Sequence, residues 1–210
     1  MKYELIIFDC DGVLVDSEAI SCGVLAEEAR KLGSKLTNEE ARRIFAGTNL
    51  KFCIEYIEAE TGQSVPPNME TIYRTKTKER FAKELQPIEG IHDLVTSLTL
   101  PFCVASNAPL SKMTFNLKKV GLFPFFKKNM FSAYELNAWK PDPTLFLTAA
   151  KTMGFHPSKC LVIEDSISGV KAAVAAEMDV LGYRKDERAK ELSEAGATII
   201  RSISEVENYL

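Results

Sequence analysis

The amino-acid sequence predicts an α/β fold, a doubly wound parallel sheet that carries an inserted all-helical domain. Short, continuous apolar runs at residues 5–8, 102–105, 160–163 and 180–181 are typical of strands buried in a parallel sheet. Helical patterns separate the later runs, and strands that alternate with helices favour this class of sheet. The third observation is the stretch from residue 16 to residue 86, which has helical patterns and no convincing strand.

Two helices of the predicted sheet domain have clear start signals. The first opens at Asp142-Pro143, with Asp142 as the N-cap and Pro143 at the first helical position, and Gly154 closes it. The second begins after Ser166, which can cap it. These signals place a helix after each of two polar segments of the sheet domain. The apolar face of the first helix is formed by Phe146, Ala149, Ala150 and Met153.

The helical insert shows similar signals. Ser17 is the expected cap of its first helix, and Gly33 ends that helix. Thr37 and Glu40 have the spacing of a capping box, which predicts that a second helix begins there.

The pattern of elements sets the domain boundaries. Helical patterns continue over residues 50–61 and 69–85, and the first predicted strand lies before the insert. We therefore expect a catalytic core formed by residues 1–15 and 87–210, interrupted by a helical cap domain of residues 16–86.

Composition and charge exclude several classes of protein. The 210 residues are 46% hydrophobic and 26% charged, with a net charge of -3, which are ordinary values for a globular protein. The sequence has no basic stripe, so we expect no nucleic-acid partner. It also lacks a signal-peptide pattern and any run near the roughly 20 apolar residues of a membrane span, so we expect no membrane association.

The five cysteines also indicate a cellular location. Their number is odd and no two form a C-x-x-C pair, so a disulfide framework or a zinc site is not indicated. Cys103 and Cys160 lie in apolar runs typical of buried strands. We interpret all five as reduced core thiols of a cytoplasmic protein, which we expect to be a monomer or a weak oligomer.

Two acids directly follow the first predicted strand. Residues two apart on an extended segment point the same way, so Asp9 and Asp11 would converge. Paired carboxylates can hold Mg²⁺, and one of them can attack phosphorus. Gly12 allows a sharp turn there. Two solvated acids in a loop and a glycosyltransferase-type D-x-D remain alternatives, although the latter would not explain the motifs that follow. An EF-hand is excluded because the glycine comes too early.

Three more polar motifs lie at the expected carboxyl ends of strands: Ser106-Asn107, Lys140 and Glu164-Asp165. Each alone is also compatible with a turn, a surface lysine or a helix cap. Open α/β sheets form their sites at this edge, so the four motifs together predict a site for phosphate and magnesium.

This set of motifs resembles the haloacid dehalogenase superfamily of phosphohydrolases, and the resemblance spans essentially the whole chain. The insert resembles the α-helical C1 cap of that family, and the chain looks most like the β-phosphoglucomutase-like subgroup. The resemblance implies a Rossmann-like core and a phosphatase that acts on small phosphorylated metabolites, namely sugar or sugar-acid phosphates such as 6-phosphogluconate. The matching segments are Asp9-x-Asp11-Gly12-Val13, Ser106-Asn107, Lys140-Pro141 and Glu164-Asp165-Ser166.

The resemblance also implies a role for each residue. Asp9 would be the nucleophile that forms an aspartyl-phosphate, and Asp11 would be the general acid and base. Lys140 would act in catalysis and phosphate binding. Phosphate would be bound by Ser106, Asn107 and Lys140, and Mg²⁺ by Asp9, Asp11 through its backbone carbonyl, Asp165, and Glu164 either directly or through water.

Two functions other than a phosphatase are possible alternatives. They are a phosphosugar mutase of the β-phosphoglucomutase type and a non-catalytic protein that binds phosphorylated metabolites, and residues of the cap help to judge the first. Such mutases carry a histidine in the first cap helix, and the matching position in this chain is Ser21. Ala46 replaces their basic residue before the cap glycine, and Leu50 replaces a following arginine. These departures disfavour a mutase, and the filled catalytic positions disfavour a protein without turnover. Candidate substrate contacts in the cap are Asn49, Lys51, Tyr73 and Lys76, for which a solvated helix face is the alternative.

Overall fold

A computed structural model describes residues 2–210, which form two compact units. One unit contains Gln86–Leu210 together with the chain up to Val15, and the other unit is Asp16–Leu85. The first unit is an α/β domain and the second is entirely helical.

The α/β unit is built on one sheet in which every paired strand is parallel. Strand β1 lies inside the sheet, where Ile7 pairs with Cys103 on one side and with Val162 on the other. The order of the strands is β3-β2-β1-β4-β5-β6, and helices on the crossovers make the sheet doubly wound, which confirms the predicted fold class. Within residues 2–210 the strands are β1 (Leu5–Phe8), β2 (Phe102–Ser106), β3 (Met130–Ser132), β4 (Cys160–Glu164), β5 (Asp179–Tyr183) and β6 (Thr198–Ile200).

The helical unit begins and ends its helices close to the predicted positions. Gly33 has φ +89°, a conformation that favours glycine, and it follows the first helix. Thr37 and Glu40 form the predicted capping box, in which the Thr37 hydroxyl accepts from Glu40 N and Glu40 accepts from Thr37 N. In the described chain its helices are α1 (Glu18–Lys31), α2 (Asn38–Phe45), α3 (Leu50–Thr61) and α4 (Met69–Glu84).

Ser17 does not act as the sequence predicts. It precedes α1, but its side chain makes no capping hydrogen bond. An N-cap side chain reaches the free N–H groups from an extended backbone, whereas the Ser17 backbone is already helical with φ -86° and ψ -22°. The prediction of a Ser17 cap is therefore wrong.

The helices of the α/β unit follow the strands. Helix α9 begins at Thr144, one residue later than predicted, although Asp142 Oδ1 still accepts from Thr144 N at 2.8 Å. Gly154 ends α9 with φ +87°, and the Ser166 hydroxyl caps α10 by accepting from Gly169 N. The described helices of this unit are α5 (Ile91–Ser97), α6 (Leu110–Lys119), α7 (Phe123–Phe126), α8 (Ala133–Leu136), α9 (Thr144–Met153), α10 (Ile167–Ala175) and α11 (Ala189–Glu194).

The cysteines lie in the protein interior. All five are free and buried, as the sequence predicts. Burial raises the pKa of Cys160 to about 11, which keeps its thiol protonated at neutral pH.

Over residues 2–210, no helix has both the length and the apolar character that crossing a membrane requires.

Candidate active site

The loop after β1 carries the first motif. Asp9 N donates to Ile163 O of β4 at 2.9 Å, so the nucleophile candidate is still joined to the sheet. The chain then turns tightly, because the N–H groups of Leu14 and Val15 both donate to Cys10 O. Gly12 lies in this turn with φ +85°, a backbone conformation that other residues adopt only with strain.

Lys140 is the centre of a buried charge cluster. Its ammonium nitrogen lies 2.5 Å from Asp9 Oδ1 and 2.7 Å from Glu164 Oε1, and it donates to Ala105 O at 2.8 Å. The ring of Phe146 faces the same nitrogen at 4.7 Å. Only 2% of the Lys140 side chain is exposed, so the alternative reading as a surface lysine is wrong.

Burial and charge oppose each other in this cluster. Burial raises the pKa of Asp9 to about 7 in the metal-free protein, against the lowering effect of the Lys140 ammonium, while the charges of Glu164 and Asp11 add to the rise. Burial lowers the pKa of Lys140, but its two carboxylate partners outweigh burial and raise it overall. Lys140 is therefore charged at neutral pH, and it shields only part of the negative charge around it.

Glu164 has both carboxylate oxygens engaged. Oε1 contacts Lys140, and Oε2 accepts from Asp165 N, Ser166 N and the Ser166 hydroxyl at 2.9–3.0 Å. Its carboxylate also lies so close to Gly169 that a Cβ there would overlap it. This carboxylate is thus fixed as a partner of Lys140, and direct contact with a metal would cost it one of these bonds.

Asp165 lies against the loop of the first motif. A Cβ at Gly12 would overlap its carboxylate, so Gly12 provides close approach as well as a turn. The Arg184 guanidinium lies 3.7 Å from Asp165 Oδ2 and is itself held by Asp186 at 3.1 Å. Since Asp165 and Arg184 are both buried, the arginine supplies a positive charge beside a carboxylate that is removed from water.

Ser106 and Asn107 follow β2 as predicted. The buried Ser106 hydroxyl oxygen accepts from Ala108 N at 3.1 Å, which leaves its hydrogen available to a phosphate oxygen. The Asn107 side chain accepts from Lys140 N at 2.9 Å and so fixes the backbone of the central lysine. Phosphate binding by Asn107 through its backbone stays a prediction.

Asp11 has partners different from those of Asp9. Lys112 Nζ lies 2.8 Å from Asp11 Oδ2, and Asn116 Nδ2 lies 3.5 Å from Asp11 Oδ1. The two aspartates are still near enough for Asp11 to raise the pKa of Asp9. The alternation of a strand does not extend into the turn after Phe8, which explains why the two carboxylates face different helices and loops.

Three residues of the site escape sequence reasoning: Lys112, Asn116 and Arg184. Arg184 directly follows β5, so the rule that placed the other motifs at strand ends could have found it. Lys112 and Asn116 lie four residues apart on α6, which places them on one helix face, but that spacing alone is too common to mark a site.

The residues present fit a magnesium ion. The carboxylates of Asp9 and Asp165 and the Asp11 carbonyl are hard oxygen donors, and Gly12 brings two of the segments together. Mg²⁺ usually takes one or two carboxylates and keeps several waters. Within the described residues, no three or more acid, histidine or cysteine side chains are grouped so that side chains alone could hold a metal ion.

Fold and site together define a hydrolase of the α/β class, and the chain belongs to the haloacid dehalogenase-like hydrolase family, whose model matches residues 6–183. Comparison with known proteins supports a phosphoric monoester hydrolase. A 6-phosphogluconate phosphatase from Escherichia coli strain K12 is 32% identical over 206 residues, which cover 98% of this chain and 93% of that protein.

Solved structures show the same fold. A haloacid dehalogenase-like protein of unknown function from Agrobacterium tumefaciens has a TM-score of 0.92 at 33% identity, and the match covers 99% of this chain and 97% of that chain. A Thermotoga maritima protein provisionally named β-phosphoglucomutase has a TM-score of 0.79 at 27% identity, with 98% and 97% covered. The resemblance to the β-phosphoglucomutase-like subgroup is confirmed.

Proposed function

We propose that this chain is a Mg²⁺-dependent phosphatase that hydrolyses sugar or sugar-acid phosphates, such as 6-phosphogluconate, through an aspartyl-phosphate on Asp9. The observation that carries the proposal is the buried Lys140 ammonium between Asp9 and Glu164. It fixes one oxygen of Asp9 and leaves the other for attack. The likeness to the Escherichia coli enzyme supports the substrate class.

In the first half-reaction, Asp9 Oδ2 attacks phosphorus and the bond from phosphorus to the ester oxygen breaks. The leaving alcohol takes a proton from Asp11. All three N–H bonds of Lys140 already have protein acceptors, so we infer that it acts on the phosphoryl group mainly through its charge. Ser106 has a hydroxyl hydrogen to donate to a phosphoryl oxygen.

In the second half-reaction, Asp11 takes a proton from water as that water attacks the aspartyl-phosphate. The bond between phosphorus and Asp9 breaks, which releases phosphate and restores the carboxylate. Bound Mg²⁺ would supply positive charge beside the transferring phosphoryl group. Asp9, Asp165 and the Asp11 carbonyl would hold the ion, and Glu164 would contact it through water.

Most of the candidate substrate contacts in the cap have local partners. Asn49 caps α3 by accepting from Phe52 N at 2.9 Å, and Lys76 pairs with Glu28 at 2.5 Å. Lys51 lies 3.8 Å from Glu55. These contacts favour the solvated-face reading for the three residues.

Phosphate release from a panel of sugar phosphates, 6-phosphogluconate, nucleotides and phosphoglycolate, with and without Mg²⁺, tests the proposal. We expect Mg²⁺-dependent release that Asp9→Asn abolishes. The matched control is Asp93→Asn, because Asp93 is an exposed aspartate on α5. It should leave release unchanged.

Other outcomes would separate the alternatives. Isomerised sugar phosphate with little free phosphate would indicate a mutase, and Mg²⁺ and substrate binding without turnover would indicate a binding protein. A cytoplasmic location, a monomeric or weakly oligomeric state and the absence of nucleic-acid partners stay predictions.

A further inference from the structure

We infer that Lys112 and Asn116 of α6 form a positioning pair for the side chain of Asp11, so that this helix sets the geometry of proton transfer to the leaving alcohol. The inference rests on the proposed function of the same site. Neither residue belongs to the four motifs that predict the site.

The pair contacts both oxygens of one carboxylate. Lys112 Nζ lies 2.8 Å from Asp11 Oδ2, and Asn116 Nδ2 lies 3.5 Å from Asp11 Oδ1. A separation of four residues on α6 places the two side chains one turn apart on the same face. A carboxyl group held at each oxygen has its plane fixed as well as its position, and proton transfer depends on both.

The backbone alone does not orient Asp11. It lies in the turn between β1 and the end of the loop at Val15, next to Gly12, rather than in the regular sheet. Its side chain is 25% exposed, so it is not enclosed by the sheet. The contacts from α6 therefore act on a side chain that no strand holds in place.

Stability does not explain the asparagine. Asn116 is completely buried, and within residues 2–210 its Oδ1 has no hydrogen-bond partner. A buried polar atom without a partner destabilises the folded state, and an apolar side chain of similar size would avoid that cost. The other end of the amide faces Asp11, which gives the residue a functional reason to be there.

The Lys112 contact leaves room for the substrate. The lysine side chain is 40% exposed, and ion pairs open to water are weak. Lys112 can therefore stay beside Asp11 Oδ2 while that oxygen also meets a substrate oxygen, because the contact is not enclosed in the protein. Lys140, which is buried against Asp9, does not offer that freedom.

The test compares leaving groups. A p-nitrophenolate departs from phosphorus without a proton, whereas an alkoxide needs one, so only alkyl esters depend on the position of Asp11 in the first half-reaction. The ratio kcat/KM covers the chemistry up to that departure. We would measure it with p-nitrophenyl phosphate and with the best sugar phosphate of the panel, for Lys112→Met, Lys112→Arg, Asn116→Leu and the control Lys119→Met, an exposed lysine of the same helix.

We expect Lys112→Met to lower kcat/KM for the sugar phosphate about tenfold or more, since general acid catalysis supplies roughly 10²–10⁴-fold. With p-nitrophenyl phosphate the loss of kcat/KM is expected to stay below about threefold. The leaving group of this ester needs no proton, so its departure does not use Asp11 as an acid. Lys112→Arg is expected to recover part of the loss, because it keeps the charge. Asn116→Leu is expected to show a smaller loss of the same selectivity with a Tm equal to or above that of the unchanged protein.

Two results would overturn the inference. One is an equal fold-loss of kcat/KM with both esters in Lys112→Met, which would indicate a merely structural role or a contact with the phosphoryl group that both esters share. The other is a selective loss with the sugar phosphate in Lys112→Met that Asn116→Leu does not share, which would indicate that Lys112 contacts the sugar instead. Failure of the proposed function is a separate outcome, since the unchanged protein would then release phosphate from neither ester.

Discussion

The two units contain ion clusters of opposite design. In the α/β unit, one ammonium, that of Lys140, faces two carboxylates, and all three groups are buried. In the helical unit, one buried carboxylate, that of Glu28, faces two ammonium groups, those of Lys31 and Lys76, which are 58% and 36% exposed.

The two clusters differ in the sign and the exposure of their surplus charge. The surplus charge of the Glu28 cluster is positive and reaches water, so solvent stabilises it at little cost. The surplus charge around Lys140 is negative and buried, which the raised pKa of Asp9 reflects. A site that binds a divalent cation needs such a surplus, because the cation completes the balance.

The largest expected effect is that of Lys140→Met compared with Lys76→Met. The first leaves two buried carboxylates without their cation, so we expect the free energy of unfolding at pH 7 to fall by about 3–5 kcal/mol. The second removes a partly exposed partner and is expected to cost less than about 1 kcal/mol. Urea unfolding of both variants measures the difference. Equal losses would show that the two clusters do not differ in the way described.

A smaller effect of opposite sign is expected for Asp9→Asn in the metal-free protein. The pKa of Asp9 rises from 3.8 to about 7 on folding, so its ionised form destabilises the folded state increasingly as pH rises through that range. From a pKa rise of this size, linkage gives a penalty of about 4 kcal/mol at most at pH 7. Relaxation and entry of water reduce such penalties in proteins, so we expect the variant to be more stable at pH 7 by on the order of 1–2 kcal/mol, with little difference at pH 4.

Urea unfolding with EDTA at several pH values tests this prediction, with Asp93→Asn as the control. A difference between variant and unchanged protein that does not depend on pH would contradict it.

The smallest effect is expected for Glu28→Gln in the helical unit. Burial raises the pKa of Glu28, but hydrogen bonds from Lys31 and Lys76 lower it overall. Its contribution is therefore present above the ordinary value of 4.5 and is lost as pH falls through the folded pKa. We expect a loss of less than about 1 kcal/mol at pH 7 that shrinks as the pH falls below 4.5, measured by thermal unfolding. A loss that persists at low pH would assign Glu28 a packing role instead.

The strands that the sequence predicts are those buried on both faces. Residues 5–8, 102–105 and 160–163 form uninterrupted apolar runs, and the structure places all three inside the sheet. Strands β3 and β6 were missed. Each has three residues, lies at an edge of the sheet and is only partly buried, so neither produces a continuous apolar pattern.

The site was predictable to the extent that strand ends define it. Asp9, Ser106 and Glu164 follow from that rule, and their order supports the family resemblance. The burial of Lys140 depends on contacts with residues 131 and 24 positions away, and no local pattern reports such contacts. For the same reason, the sequence does not predict that α6 faces Asp11, and only the folded structure shows this contact.

The chain leaves and re-enters the α/β unit at adjacent points. Val15 and Pro87 form an antiparallel bridge, and Ile88 N donates to Leu14 O at 3.1 Å. If the helical unit were replaced by an insert from another protein, both junctions would therefore lie on this one pair of short segments. The insert would need only ends that lie close together. The helical unit could then be replaced as one piece while the strands of the α/β unit keep their own chain connections.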